Sequence, residues 1–223
     1  MATETKKQVE VFLTPEGRLI NHSLFEKDQY NDQAVPQYKV EMVFDPKTVL
    51  GQAPEGSEPT LEDRAIMAAV DKWGDVANDE FEKGTLILPF LDGDVLARKR
   101  EAKEKPGDAY KGLTVIRANT IYNKDGVDGP GGIQVFAPDT SSIGAANRDL
   151  IYQGCYGVAA LTAHCYVDER TGNHAVKFYL SAFQKTRDGD RLVSARDHSK
   201  LFRPIGRQAG AEGGAAPARR GRR

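Results

Sequence analysis

The residues best equipped for chemistry in this chain lie between Ala175 and Thr186, in the run AVKFYLSAFQKT. Side chains of a strand alternate between its two faces. One face of this run collects Val176, Phe178, Leu180 and Ala182, a core face, and the other collects Lys177, Tyr179, Ser181, Phe183 and Lys185. Rings interleaved with ammonium groups stack on nucleobases and neutralise phosphates without reading a sequence. The same pattern also suits an ordinary sheet, where exposed aromatics pack well and lysines protect strand edges.

Other groupings carry less. Asp92 and Asp94 flank Gly93, and paired carboxylates hold the divalent ion of a nuclease. A DGD between apolar residues is also a turn, and Asp188-Gly189-Asp190 repeats it. Cys155, His164, Cys165 and His174 are zinc-type ligands, but no CxxC knuckle gathers them, and His164 and Cys165 as strand neighbours face opposite ways. There is no Walker-type phosphate loop and no GxGxxG after a strand. The spacing assembles no set of acid, base and nucleophile, so the reading is of a protein that is not an enzyme and uses no cofactor or metal.

The 223 residues suffice for one large domain with extensions. Hydrophobic residues at 39% and charged residues at 28% describe a soluble chain, and no apolar run reaches the length of a membrane span or a signal region. Two cysteines make no disulfide framework, which points to an intracellular setting. Net charge is −1, but residues 206–223 hold five arginines and one acid. Without them the body has 26 basic and 31 acidic residues. A site for a polyanion must therefore be a local basic groove on an acidic surface.

The elements that would position these residues are mostly strands. Residues 8–13 alternate as one, ended by Pro15-Glu16-Gly17, and residues 37–44 place Tyr38, Val40, Met42 and Phe44 on one face. Residues 51–59 form a loop. Thr60 and Asp63 resemble a capping box, and Leu61, Ala65, Ala69, Trp73, Val76 and Ala77 recur at helical spacing, predicting one long helix over 60–81. Strands are expected at 85–91, 113–122 and 155–167, the last with a small apolar face of Cys155, Gly157, Ala159, Leu161, Ala163 and Cys165. The charged stretch 98–105 reads as a solvated loop or helix, 123–132 as a glycine-rich loop, 168–173 as a hairpin loop and 206–223 as a flexible basic Gly/Ala/Arg tail. Many strands, one helix and long loops predict a mainly β, small closed or partly open barrel rather than a doubly wound sheet.

Four segments in order, LPFLDGD (88–94), YKGLTVIRANT (110–120), YQGCYGVAALTAHCY (152–166) and HAVKFYLSAFQKTRDGDRL (174–192), resemble bacteriophage single-stranded-DNA-binding proteins built on one OB-fold. The resemblance spans residues 8–200, and the glycine-tyrosine pattern at 152–157 is its most specific part. It implies a five-stranded OB-type barrel over residues 1–205 that coats exposed single strands during phage replication, recombination and repair in the bacterial host cytoplasm, with replication or recombination proteins as partners and no membrane. On that barrel the expected stacking platforms are Tyr179, Phe183 and Tyr156, with Lys177 and Lys185 beside them for phosphates. Arg117, Tyr110 and Lys111 come from the 110–122 segment, where Lys111, Leu113, Val115, Arg117, Asn119 and Ile121 share one face and Tyr110, Thr114 and Tyr122 the other. A barrel strand can bulge and swap faces, so which face is outward stays open. Arg98 and Arg100 are candidates for the groove rim. Proteins of this kind often end in an acidic tail that docks partners. The basic residues 206–223 depart from that pattern and would add phosphate contacts, extending to duplex DNA, or serve as a solubilising extension. The competing readings are a phage accessory or assembly protein using the same face as a protein interface, and a metal-dependent nuclease using Asp92 and Asp94.

Overall fold

The computed structural model describes residues 10–29, 32, 34–120 and 133–192. In chain order these form β1 (Phe12–Leu13), β2 (Gly17–Asp28), β3 (Gln37–Phe44), α1 (Pro46–Val49), α2 (Leu61–Trp73), α3 (Asp75–Glu82), β4 (Phe90–Asp92), α4 (Gly93–Glu101), β5 (Thr114–Thr120), β6 (Gln134–Phe136), β7 (Tyr156–Val167) and β8 (His174–Arg187). The 30–31, 33 and 123–132 loop positions, Ile121, Tyr122 and the 206–223 segment lie outside the described residues.

Strand pairing closes a ring. β2 pairs antiparallel with β3, β3 with β5, β8 with β7 and β7 with β2, while β5 and β8 run parallel at Ala118↔Phe178 and Asn119↔Tyr179. The ring order β2-β3-β5-β8-β7 is five strands, and β1, β4 and β6 extend it along β7, β5 and β8 respectively. The sequence-based expectation of a small β barrel holds.

Its interior is filled as alternation predicts: Val40, Met42 and Phe44 from β3, Ile116 and Ala118 from β5, Ala159 and Leu161 from β7, and Val176, Phe178 and Leu180 from β8. Phe178 is central, with Phe12 at 5.6 Å and Phe90 at 5.9 Å, both edge-on, the arrangement aromatic quadrupoles favour. Leu61, Ala65, Ala69 and Ala77 join this core, and α2 packs against β7 and β8. A smaller cluster of Ile20, Val43, Ala97, Tyr110 and Val115 lies under α4, so one end of the sheet is buried on both faces.

Several elements differ from expectation. The helix over 60–81 is two helices, because Gly74 takes φ 63°, outside the helical region. The Thr60–Asp63 capping box is present in both directions, and Val76 is exposed rather than in the core. Of the 8–13 stretch, residues 8 and 9 lie outside the described residues, and β1 covers Phe12–Leu13 of the remainder. Residues 85–91 yield only the bridge Ile87↔Ala175 and the start of β4. β2 has no counterpart in the sequence reading. Leu19 faces the barrel and Ile20 lies under α4, and a register shift between Leu19 and Asn21 breaks the alternation beyond them, so that Leu19 and Leu24, five residues apart, share the barrel core.

The same irregularity decides the chemistry of β8. Ala160 faces Ala182 but Leu161 faces Leu180, so Ser181 is an extra residue and the inside–outside phase reverses there. Phe183 is thus 1% exposed and Lys185 7% exposed, on the core side with Leu180 rather than beside Tyr179.

At the far end of the β7–β8 hairpin, Asp168 Oδ1 accepts from the Arg170 and Thr171 amides, closing the expected turn. Beside that turn His174, paired with Val167, stacks on Trp73 at 4.2 Å and meets the Glu80 carboxylate at 2.9 Å through Nδ1.

Candidate nucleic-acid interface

The outer face of the β7–β8 hairpin is a ladder whose rungs are set by register: His164↔Lys177, Thr162↔Tyr179, Ala160↔Ala182, Val158↔Gln184 and Tyr156↔Arg187. Alternate residues of a strand put successive rungs about 7 Å apart. At one end Lys177 Nζ lies 4.9 Å from the Tyr179 ring centre and 5.0 Å from that of Tyr166, and His164 stacks against Tyr179 at 5.0 Å. Tyr166, Lys177 and Tyr179 are half-buried and His164 is exposed, so their planes are pre-set yet reachable. This group can stack bases and hold a phosphate at once.

The surface continues sideways through Asn119, the parallel partner of Tyr179, to Lys39 on β3, which pairs with Asp28, and to Arg117. Arg117 is exposed, and its Nε donates to Glu41. Tyr110 hydroxyl donates to the other Glu41 oxygen at 2.6 Å.

Tyr110 is a correction. It is 3% exposed under α4, with Arg100 across its ring at 5.1 Å, and burial together with the Glu41 bond pushes its phenol well above the usual value. It positions Glu41 and stacks on no ligand. Lys111 is exposed but held by Glu101 and Asp108, each at 2.8 Å, and the Asp108 bond raises its ammonium pKa. Arg100 Nε donates to Pro106 O at 2.9 Å. Arg98 is exposed on α4, in the basic last turn the charged stretch provides.

Phe183 and Lys185 are corrected too. Phe183 is core. Lys185 Nζ donates to Leu150 O at 2.9 Å and to Asp188 Oδ1 at 2.6 Å, and lies over Tyr152 at 5.1 Å. It ties down the chain after β8, and its hydrogen bond, with that of Tyr152, draws the Asp188 pKa below the ordinary value.

Tyr156 is on the outer face as parity predicts, but six residues from Thr162, hence about 20 Å away along β7. It belongs to a second group at the barrel's other end. Arg187 lies on its ring at 3.4 Å, Arg18 at 5.9 Å, and Arg191 on Tyr152 at 4.1 Å. Arg187 is also paired with Glu16 at 2.9 Å. The glycine-tyrosine pattern at 152–157 has its reason here: a side chain on Gly154, at φ 111°, would enter the Asp190 carbonyl, and one on Gly157 would enter the Phe183 ring.

Sequence reasoning missed Tyr166, Lys39, Arg18, Tyr152, Arg187 and Arg191, and saw His164 only as a metal ligand. The parity that turned Tyr156 outward turns His164 and Tyr166 outward as well, so the signal was there for those two. The carboxylates of the DGD are spent on backbone: Asp92 Oδ1 accepts from Val95 N at 3.1 Å, capping α4, and Asp94 Oδ1 accepts from Gly112 N at 2.9 Å.

A closed ring in the order β2-β3-β5-β8-β7 with a parallel β5–β8 contact is an OB-type barrel, a fold whose members bind oligonucleotides and oligosaccharides on strand faces. Residues 11–210 match the family described as Enterobacter phage Enc34, ssDNA-binding protein. The chain belongs to that family. Among solved structures it is similar to the single-stranded DNA-binding protein from bacteriophage Enc34 in complex with ssDNA, at 16% identity and TM-score 0.51 over 82% of this chain and 89% of that one. It is also similar to gp2.5, a single-stranded DNA-binding protein encoded by bacteriophage T7, at 12% identity and TM-score 0.52 over 89% and 97% of the two chains. No curated protein matches the sequence.

Proposed function

We propose that this chain binds single-stranded DNA without sequence preference and coats strands exposed as phage DNA is replicated, recombined and repaired in the host cytoplasm, acting by occupancy rather than catalysis. The observation that carries the site is the group of Tyr166, Lys177, Tyr179 and His164 on the outer face of the hairpin, in a chain of this family. Tyr179 and Tyr166 supply stacking planes, Lys177 supplies charge between them, and Lys39, Arg117 and Arg98 continue the basic surface toward α4. Nothing in this set reads a base edge, which fits a protein indifferent to sequence.

The test is fluorescence anisotropy of a labelled oligothymidylate at two salt concentrations with chelator present. Binding should be tight, fall with salt, persist in chelator, and weaken in Tyr179→Ala and Lys177→Met. Wild-type affinity in both variants would move the site elsewhere. Absence of binding at low salt would defeat the reading and favour a protein interface on the same face.

A further inference from the structure

Midway along the ladder, where neither aromatic group reaches, the hairpin has a pocket of about 300 Å³. Its floor is the Ala160↔Ala182 rung, and its walls are Leu13 from β1, Phe136 from β6, Val158 and Thr140. Register explains it. Leu13 pairs with Ala160, and Phe136 with Gln184, so two large apolar side chains stand on either side of two small ones. Leu13 is 67% exposed, although a leucine on a bare sheet surface gains nothing from water.

The surrounding backbone is held in an unusual shape. Thr140, β-branched, sits at φ 66° on the pocket rim. Asp139 maintains that turn, accepting from the Ser141 amide at 3.0 Å and the Ser141 hydroxyl at 2.6 Å. Strain of this kind persists where surrounding contacts enforce it, and it concentrates at ligand clamps.

We propose that this pocket is a base-binding subsite, taking one unstacked nucleobase of the bound strand between Leu13 and Phe136. The inference rests on the single-strand reading above and deepens it. Continuity names the occupant. The Thr162↔Tyr179 rung lies about 7 Å to one side of the pocket floor, and the Tyr156↔Arg187 rung about 13 Å to the other. A strand stacked on Tyr179 and drawn toward the arginines at Tyr156 therefore crosses the pocket mouth. Apolar walls with a hydroxyl and an amide at the rim suit the flat face of any base and its polar edge. The pocket thereby joins two groups of rings otherwise too far apart to act on one short strand.

The experiment uses the full chain with two probes of equal length, an oligothymidylate and the corresponding abasic deoxyribose-phosphate strand. Ala182→Leu fills the pocket, and Leu13→Ala removes an exposed wall that folding does not need. Ala182→Leu should weaken oligothymidylate binding about tenfold, the low end of what one stacked base contributes. Leu13→Ala should weaken it in the same direction by less, and both should bind the abasic strand as wild type does. Wild-type affinity for oligothymidylate in both variants overturns the subsite, as does an equal loss on the abasic strand. Tyr179→Ala run beside them separates the two ideas. A loss there with none in the pocket variants removes the subsite alone, and no loss in Tyr179→Ala removes the stacking reading beneath it.

Discussion

Truncating Tyr179 and truncating Phe183 would remove rings of similar size from one strand, with unlike results. Tyr179→Ala takes away a half-buried outer ring, so folding should be nearly unchanged while DNA affinity falls by ~1–3 kcal/mol for the base it stacks. Phe183→Ala opens a hole in the core and should cost ~3–5 kcal/mol of stability. Urea denaturation beside anisotropy distinguishes them, and equal stability losses would refute the assignment of faces. His22 gives a second test at this scale. Burial holds its imidazole pKa below the usual value, and its Nδ1 has no hydrogen-bond partner among the described residues. The unfolded chain, titrating near ~6.5, therefore takes up the proton first as pH falls. The resulting stability is fully present above that value and declines as pH drops below it. Urea midpoints of wild type should fall between about pH 7.5 and about pH 5.5, and His22→Leu should lose that share of the fall.

Between elements, the closest fit is β7 against β8. Gly157→Ala would push a methyl group into the Phe183 ring and the Gln184 carbonyl, prising the two strands apart at their partnership with β2. A loss of ~1–3 kcal/mol in thermal or urea unfolding is expected, as for other overpacked cores. The elements were unevenly legible in the sequence. β7 and the first half of β8 alternate against one core, as does β3 through Val40, Met42 and Phe44 with Val43 alone turned to the smaller cluster, and period two identified all three. The long β2 did not announce itself, because both of its faces carry core residues and its extra residue near Ile20 breaks period two, leaving Leu19 and Leu24 five apart on the same side. The second half of β8 misled for the same reason: parity read straight through Ser181 places Phe183 and Lys185 with Tyr179, while an inserted residue turns them inward. Tyr110 misled differently. Little local reveals that α4 will lie over it, since α4 is highly charged and its buried side rests on Gly93, Leu96 and Ala97. Lys177 and Tyr179 faced outward as read because no irregularity lies between them and their core-facing neighbours.

For the whole molecule, charge governs. Residues 1–205 carry 26 basic and 31 acidic side chains, so approach of DNA to the body is opposed everywhere except on local basic surface. Five arginines against one acid in residues 206–223 change that balance. Each phosphate neutralised on a single strand adds ~0.7 to the slope of log affinity against log salt. A chain ending at residue 205 should therefore bind oligothymidylate more weakly at low salt and with a shallower slope, and should lose whatever affinity for duplex DNA the intact chain has. Unchanged or stronger binding would assign residues 206–223 to solubility instead.

The protein has a single tryptophan, and it stands on the imidazole of His174 next to the hairpin's turn, on the side of β8 that carries Val176 and Phe178 and not on the ladder side. Indole emission is therefore an optical gauge of the joint between α2 and β8 and not of base stacking. If DNA shifts that emission, the joint has moved. If it does not, the hairpin is a rigid platform and tyrosine signals alone will follow the strand.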